Sequence, residues 1–177
     1  TVGGNISGTS DLAPLDKQAQ MILDLFPEAE KIGILYCSAE ANSKYQVEEI
    51  TRLLVSKGVA AANIKEYAFT DSNDISAVTT TASAASDVIY VPTDNTVAEN
   101  TGIIDNICAP KKIPVIAGEE GICKGCGVAT LSISYYDLGY ATGKMAVKIL
   151  KGEADISTMA IGYAETQTPK FNKAICD

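Results

Sequence analysis

Apolar positions along the chain alternate between two spacings. Strand-length stretches rich in apolar or β-favouring residues occupy 32–37, 64–69, 87–91, 113–117 and 128–133. Between them the apolar positions recur every three or four residues, the period of a helix with one buried face. Residues 12–26 do this with Leu12, Leu15, Ala19, Ile22, Leu23 and Phe26, and residues 44–57 with Tyr45, Val47, Ile50, Leu53 and Leu54. Weaker helices are predicted over 74–84 and 96–109. A longer one spans 135–150, with Leu138, Ala141, Met145, Ile149 and Leu150. Punctuation agrees with these limits. Ser10 or Asp11 can cap the first helix, Pro14 suits its first turn, and Pro27 stops it. Gly58 and Gly152 close two others, as glycine commonly does. Strand and helix alternating at this spacing predict an α/β fold. It is a three-layer sandwich with a mainly parallel central sheet covered on both faces. The tail over 155–177 holds a strand-like stretch at 159–164 and a polar Thr-Gln-Thr-Pro segment. It does not read as another strand–helix unit.

Polar loops follow several of the predicted strands. The most informative is Val88-Ile89-Tyr90-Val91-Pro92-Thr93-Asp94-Asn95-Thr96. An apolar run ends in proline, four polar side chains follow at once, and a helical pattern begins. In open parallel sheets ligands bind beyond the carboxyl ends of the strands. Thr93, Asp94, Asn95 and Thr96 offer a carboxylate, an amide and two hydroxyls there, a set suited to a small zwitterion. Local chemistry allows a second role, since Asp and Asn also cap helices. The loop from Ser38 through Glu40 and Asn42 to Ser43, and the loop Gly118-Glu119-Glu120-Gly121, belong to the same predicted edge. Of the Glu119–Glu120 pair, one at most is expected in a cleft, and Glu120 is the candidate. Thr9, Ser10 and Asp11 open the first helix.

Composition narrows the chemistry. The chain has 177 residues, a net charge of −8 and no histidine. An acidic surface lacks the basic face that nucleic acid requires. Without histidine there is no Ser-His-Asp or Cys-His triad and no His metal ligand. No Gly-rich phosphate loop or nucleophile elbow occurs. A binding protein is expected rather than an enzyme, with no cofactor and no metal. No run approaches the ~20 apolar residues of a membrane span. Five cysteines, Cys37, Cys108, Cys123, Cys126 and Cys176, make an odd set, so a complete disulfide framework is not expected. Cys123-Lys-Gly-Cys126 is followed by a strand-like run rather than a helix. It reads as a local disulfide or two free thiols.

Five stretches together resemble a known family: GNISGTSDLAP (4–14), KIGILYCSAEANS (31–43), VIYVPTDNTVAEN (88–100), IPVIAGEEG (113–121) and ATLSISYYDLGYATGKMAVKILKGE (129–153). They are similar to substrate-binding proteins of bacterial ABC transporters, in the branch that takes up tryptophan and other aromatic amino acids. Cys126 departs from that pattern. The resemblance implies one lobe of a two-lobed periplasmic-binding-protein fold of type I, with the ligand held between lobes. Residues 1–134 would be the ligand-binding lobe, and 135–177 the helix and tail that return toward a first lobe this chain lacks. Left without its partner, the 135–150 helix would favour a dimer or domain exchange. The implied partners are an amino acid and a transporter permease. The implied location is the outer face of the cell membrane, as a lipoprotein, or the periplasm. Asp94 becomes the candidate acceptor of the ligand ammonium, with Thr9, Ser10 and Asp11 toward its carboxylate. Tyr36, Tyr90, Tyr135 and Tyr136 are candidate stacking faces or packing residues. Two alternatives stand beside it: the effector-binding domain of a transcription regulator, which shares this architecture, and a flavodoxin-like enzyme.

Overall fold

The computed structural model describes residues 4–164 and 166–176. These fall into two compact units, one of residues 1–12 and 133–168, the other of 13–132 and 169–177. In chain order, β1 is Thr9–Ser10, α1 Leu15–Leu25, β2 Ile32–Cys37, α2 Ala41–Ser56, β3 Ile64–Phe69 and α3 Ile75–Ala85. Next come β4 Val88–Val91, α4 Asn95–Glu99, α5 Thr101–Cys108, β5 Val115–Ala117, α6 Glu120–Cys126 and β6 Ala129–Ile133. The chain continues through α7 Tyr135–Leu150, β7 Gly162–Tyr163, β8 Gln167–Phe171 and α8 Lys173–Cys176.

The larger unit is built on a six-stranded sheet of order β3-β2-β4-β5-β6-β8. The pairs β2–β3, β2–β4, β4–β5 and β5–β6 are parallel, as the strand–helix alternation predicts. All residues of β2 and β4 are buried, which explains their unbroken apolar runs. Alternate residues feed two cores. Leu35, Ile89, Val91, Val115 and Ala117 pack with Ile75 and Ala82 of α3, Ile104 of α5 and Ile122 of α6. The opposite face meets α1, where Tyr90 Oη donates to Gln18 Oε1 at 2.6 Å. The Gln18 amide nitrogen in turn donates to Gly118 O and Leu131 O. Strand order reverses between β2 and β4. In parallel sheets that reversal opens a crevice beyond the strands' carboxyl ends.

Boundaries differ from the sequence pattern where tertiary contacts intervene. The first helix starts at Leu15, not residue 12. Pro14 is its N-cap and no side chain caps it. Ser10 Oγ instead accepts from Leu12 N. The helix expected over 96–109 is two helices, broken at Asn100, whose side chain donates to Thr96 O. The Gly118–Gly121 loop passes straight into α6, which the sequence reading missed. Its two internal glycines, Gly121 and Gly125, weaken the helical signal. Gly125 is there for packing, because a Cβ would collide with the Thr101 side chain of α5. β8 also escaped the pattern. All five of its residues are exposed and it carries Pro169, which sits comfortably on an edge strand.

In the smaller unit β1 runs parallel to β7, pairing Thr9 with Gly162 and Ser10 with Tyr163. Ser134 caps α7 by accepting from Asp137 N at 3.2 Å. Gly152 ends that helix at φ 71°, a conformation that favours glycine. Of α7's sixteen residues only Leu138 is buried. Tyr136 is 82% and Leu150 85% exposed, and Tyr140 and Val147 are exposed as well.

Candidate functional site

The loops at the reversal between β2 and β4 are tied together by two carboxylates. The first is Glu40, the N-cap residue of α2. Its Oε1 accepts from Thr96 N at 2.8 Å and Thr96 Oγ1 at 2.7 Å. Its Oε2 accepts from Asn95 N at 3.1 Å and from the Asn95 and Asn42 side-chain amides at 2.9 and 3.3 Å. The loop after β2 thus closes over the start of α4, where unpaired amides favour negative charge. Burial works to raise the Glu40 carboxyl. Bonds from the Thr96 hydroxyl, the Asn95 and Thr96 amides and Asn42 outweigh it and hold the group down at about 2.

The second is Asp94, which is 1% exposed. One oxygen accepts from Val97 N at 2.9 Å and so caps α4. The other accepts from Cys37 N and Ser43 Oγ, both at 2.7 Å. Burial pushes this carboxyl above the ordinary range against the Cys37, Val97 and Ser43 donors, and the Glu40 charge adds to the push. Asp94 was expected to face a ligand ammonium. In this structure its oxygens are turned inward and joined to three separate segments. Ser43 is likewise sealed, at 0% exposure.

Two further contacts set the height of this edge. Gln46, one helical turn beyond Asn42, brackets the Thr93 peptide. Its Oε1 accepts from Thr93 N at 3.1 Å and its Nε2 donates to Thr93 O at 3.4 Å. The sequence reading missed Gln46. The available signal was its i, i+4 spacing from Asn42, which puts both amides on one helix face. Gly118 lies against the same loop, and a Cβ there would come within 2.6 Å of Pro92 C and Thr93 N.

The remaining candidates scatter. Ser38 Oγ donates to Phe69 O at 3.0 Å. Glu119 caps α6 by accepting from Gly121 N and Ile122 N. Glu120 is exposed and paired with Lys170 Nζ at 2.5 Å. In the smaller unit Thr9 Oγ1 shares a 2.6 Å hydrogen bond with Thr142 Oγ1, Ser10 holds Leu12 N, and Asp11 is exposed. Tyr36 and Tyr90 are core residues, hydrogen-bonded to Glu66 and Gln18. Tyr135 and Tyr136 are exposed. Cys123 and Cys126 are free thiols on the buried face of α6, and burial raises them to about 11 and about 12. Thiols so raised are poor nucleophiles at neutral pH.

The sequence profile described as ABC transporter substrate binding protein matches residues 1–171. The chain belongs to that family. Its members bind a substrate rather than transform it, so this is no enzyme family. Among curated relatives of this ABC substrate-binding chain is the tyrosine-binding protein of Clostridioides difficile (strain R20291). It is 34% identical over 152 residues, covering 86% of this chain and 43% of the relative. A structure from Streptococcus pneumoniae described as an ABC domain in complex with L-Trp superposes with a TM-score of 0.87. It shares 34% identity and covers 98% of this chain and 59% of its own. The ligand-free, open form of a substrate-binding protein with adhesive properties from Clostridium difficile gives 0.75 at 38% identity, over 98% and 57%. The ABC substrate-binding chain therefore spans about half the length of these relatives.

Two predictions follow from the carboxylates of this substrate-binding chain. Asp94→Ala leaves Cys37 N, Val97 N and Ser43 Oγ without an acceptor, and each orphaned buried donor costs about 1–3 kcal/mol. Urea unfolding at neutral pH should show a loss of about 3 kcal/mol or more, against the ~1 kcal/mol of a simple lost cap. Glu40 is depressed on folding, so its stabilisation is complete above the ordinary value of 4.5 and disappears as pH falls toward about 2. Glu40→Gln should melt several degrees below the parent at neutral pH. Circular-dichroism melts should show that gap closing as the pH is lowered through this window.

Proposed function

We propose that this chain captures an amino acid, one with an aromatic side chain, for an ABC importer. The ligand lies at the carboxyl edge of the sheet, in the crevice between the loops after β2 and β4. The observation that carries this reading is the Glu40–Asp94 network at the strand-order reversal. It holds Asn42, Thr93, Asn95 and Thr96 in place through bonds made within the chain itself, and side chains so fixed lower the entropic cost of binding. The tyrosine-binding relative and the L-Trp-bound neighbour support the ligand class. On this reading Ser38, Glu40, Asn42, Thr93, Asn95 and Thr96 form the contact surface, and Asp94 and Ser43 hold it from behind. Glu120, in the same unit, remains a candidate contact for the ligand's other end.

The partner on this reading is the transporter's permease. The working place is outside the cytoplasmic membrane, as a lipoprotein on the cell's outer face or in the periplasm. Among the described residues no helix is long and apolar enough to cross a membrane. Residues 135–177 serve to connect the ligand-binding lobe with a further lobe. The nearly unburied α7 supports that assignment, since its exposed aromatic face suits a protein neighbour. When this chain is isolated, an uncovered apolar patch promotes association. Gly139 and Gly143 have open space above them, so a second helix can approach closely.

Nitrogen-15 NMR of the chain tests the ligand site. Adding L-tyrosine or L-tryptophan to millimolar concentration should shift amides of residues 38–42 and 93–96, and leave Ala62, Asn63 and Ala109 unmoved. Spectra that do not change, or that change around the latter residues, would show that the edge has been misassigned. Light scattering tests the helix face. Apparent mass should rise with concentration toward a dimer, and Tyr140→Lys combined with Val147→Lys should abolish the rise. A monomer at every concentration would remove this part of the proposal.

A further inference from the structure

The crowding around Glu40 dictates how its neighbours are turned. An ionised carboxylate accepts hydrogen bonds and donates none. The side chains of Asn42 and Asn95 therefore meet Glu40 Oε2 through their Nδ2 atoms. Asn42 Nδ2 is also bonded to Thr93 O at 3.0 Å. If either amide turned over, its carbonyl oxygen would face a carboxylate, and in Asn42 a backbone carbonyl as well. Both amides are thus locked in one sense. A planar amide with its nitrogen directed at Glu40 carries Oδ1 on the side away from it. Both residues are exposed, so those oxygens are available at the sheet edge.

We infer that Asn42 Oδ1 and Asn95 Oδ1 form an acceptor subsite for a primary ammonium group, and that Glu40 is the positioning residue that turns them outward. This rests on the amino acid reading above and adds which end of the ligand meets this edge. An ammonium carries three donors and no acceptor, so carbonyl oxygens match it. The Glu40 charge lies directly behind them and persists in acid, since that carboxyl is held at about 2. It attracts a cation and repels a ligand carboxylate without giving up its own hydrogen bonds. Asp94 does not fill this role, because it is sealed and both of its oxygens are engaged.

Three probes separate the ligand's ends: L-tyrosine, tyramine, which has the ammonium alone, and 3-(4-hydroxyphenyl)propionate, which has the carboxylate alone. Affinities are read by NMR titration of the parent chain and of the Glu40→Gln and Asn42→Ala variants. The parent should bind tyramine more tightly than the propionate. Glu40→Gln removes the charge and offers an N–H of its own, which frees the asparagine amides to invert. Its affinity for L-tyrosine and tyramine should fall roughly tenfold or more, the scale of a lost hydrogen bond to a charged group. Its affinity for the propionate should hold or rise. Asn42→Ala alters an exposed side chain outside the core, and should narrow the tyramine preference in the same direction. Equal losses for all three probes in both variants would mark a purely structural role and overturn the inference, as would a parent that prefers the propionate. A parent that binds none of the three would instead overturn the amino acid reading itself, and this inference with it.

Discussion

The Asp94 carboxylate is the constraint on which the edge of this sheet depends. It accepts one bond from the end of β2, one from a serine on α2 and one from the first turn of α4. Those segments are brought together by the reversal of strand order, and the reversal by itself leaves a crevice with unpaired amides on its walls. A buried carboxylate satisfies three of these donors at once. It then has no oxygen turned outward, so the carboxylate best placed by sequence to touch a ligand is spent on joining these segments.

Glu40 repeats this logic at the surface. Its loop returns over α4 and supplies acceptors for amides that Asp94 cannot reach. The two acids lie close enough that the Glu40 charge raises Asp94. They differ in what surrounds them: burial dominates at Asp94, and donated hydrogen bonds dominate at Glu40. A half-buried acid with a full set of donors keeps its charge, which leaves a fixed negative point behind the exposed amides.

Support below the edge is less visible and just as specific. Gln46 brackets the Thr93 peptide, Gly118 lets the loops after β4 and β5 approach, and Gln18 satisfies two carbonyls and a tyrosine hydroxyl within the core. A fully partnered buried amide costs little, and an unpartnered one costs much. These residues therefore hold the loops at one height. The thiols of Cys123 and Cys126 occupy the opposite core as small apolar groups.

Much of this architecture was legible without coordinates. The stretches at 32–37 and 64–69 are strands to the residue: the first is an apolar run buried throughout, and the second carries Tyr67 and Phe69 on its buried face. The helices α1 and α2 were legible because each buries one stripe, and α7 because its apolar positions keep the helical period although only Leu138 is buried. Elements set by neighbours were not: α6 carries two internal glycines, one demanded by Thr101, and β8 is exposed throughout. At the candidate site, the residue types and the sheet edge could be read from the chain, but not their roles. Sequence places Asp94, Asn95 and Glu40 near strand ends, where either capping or ligand contact is chemically reasonable. Only the folded chain decides which carboxylate is sealed and which way each amide turns. That choice depends on donors from segments more than fifty residues apart, which no local pattern records.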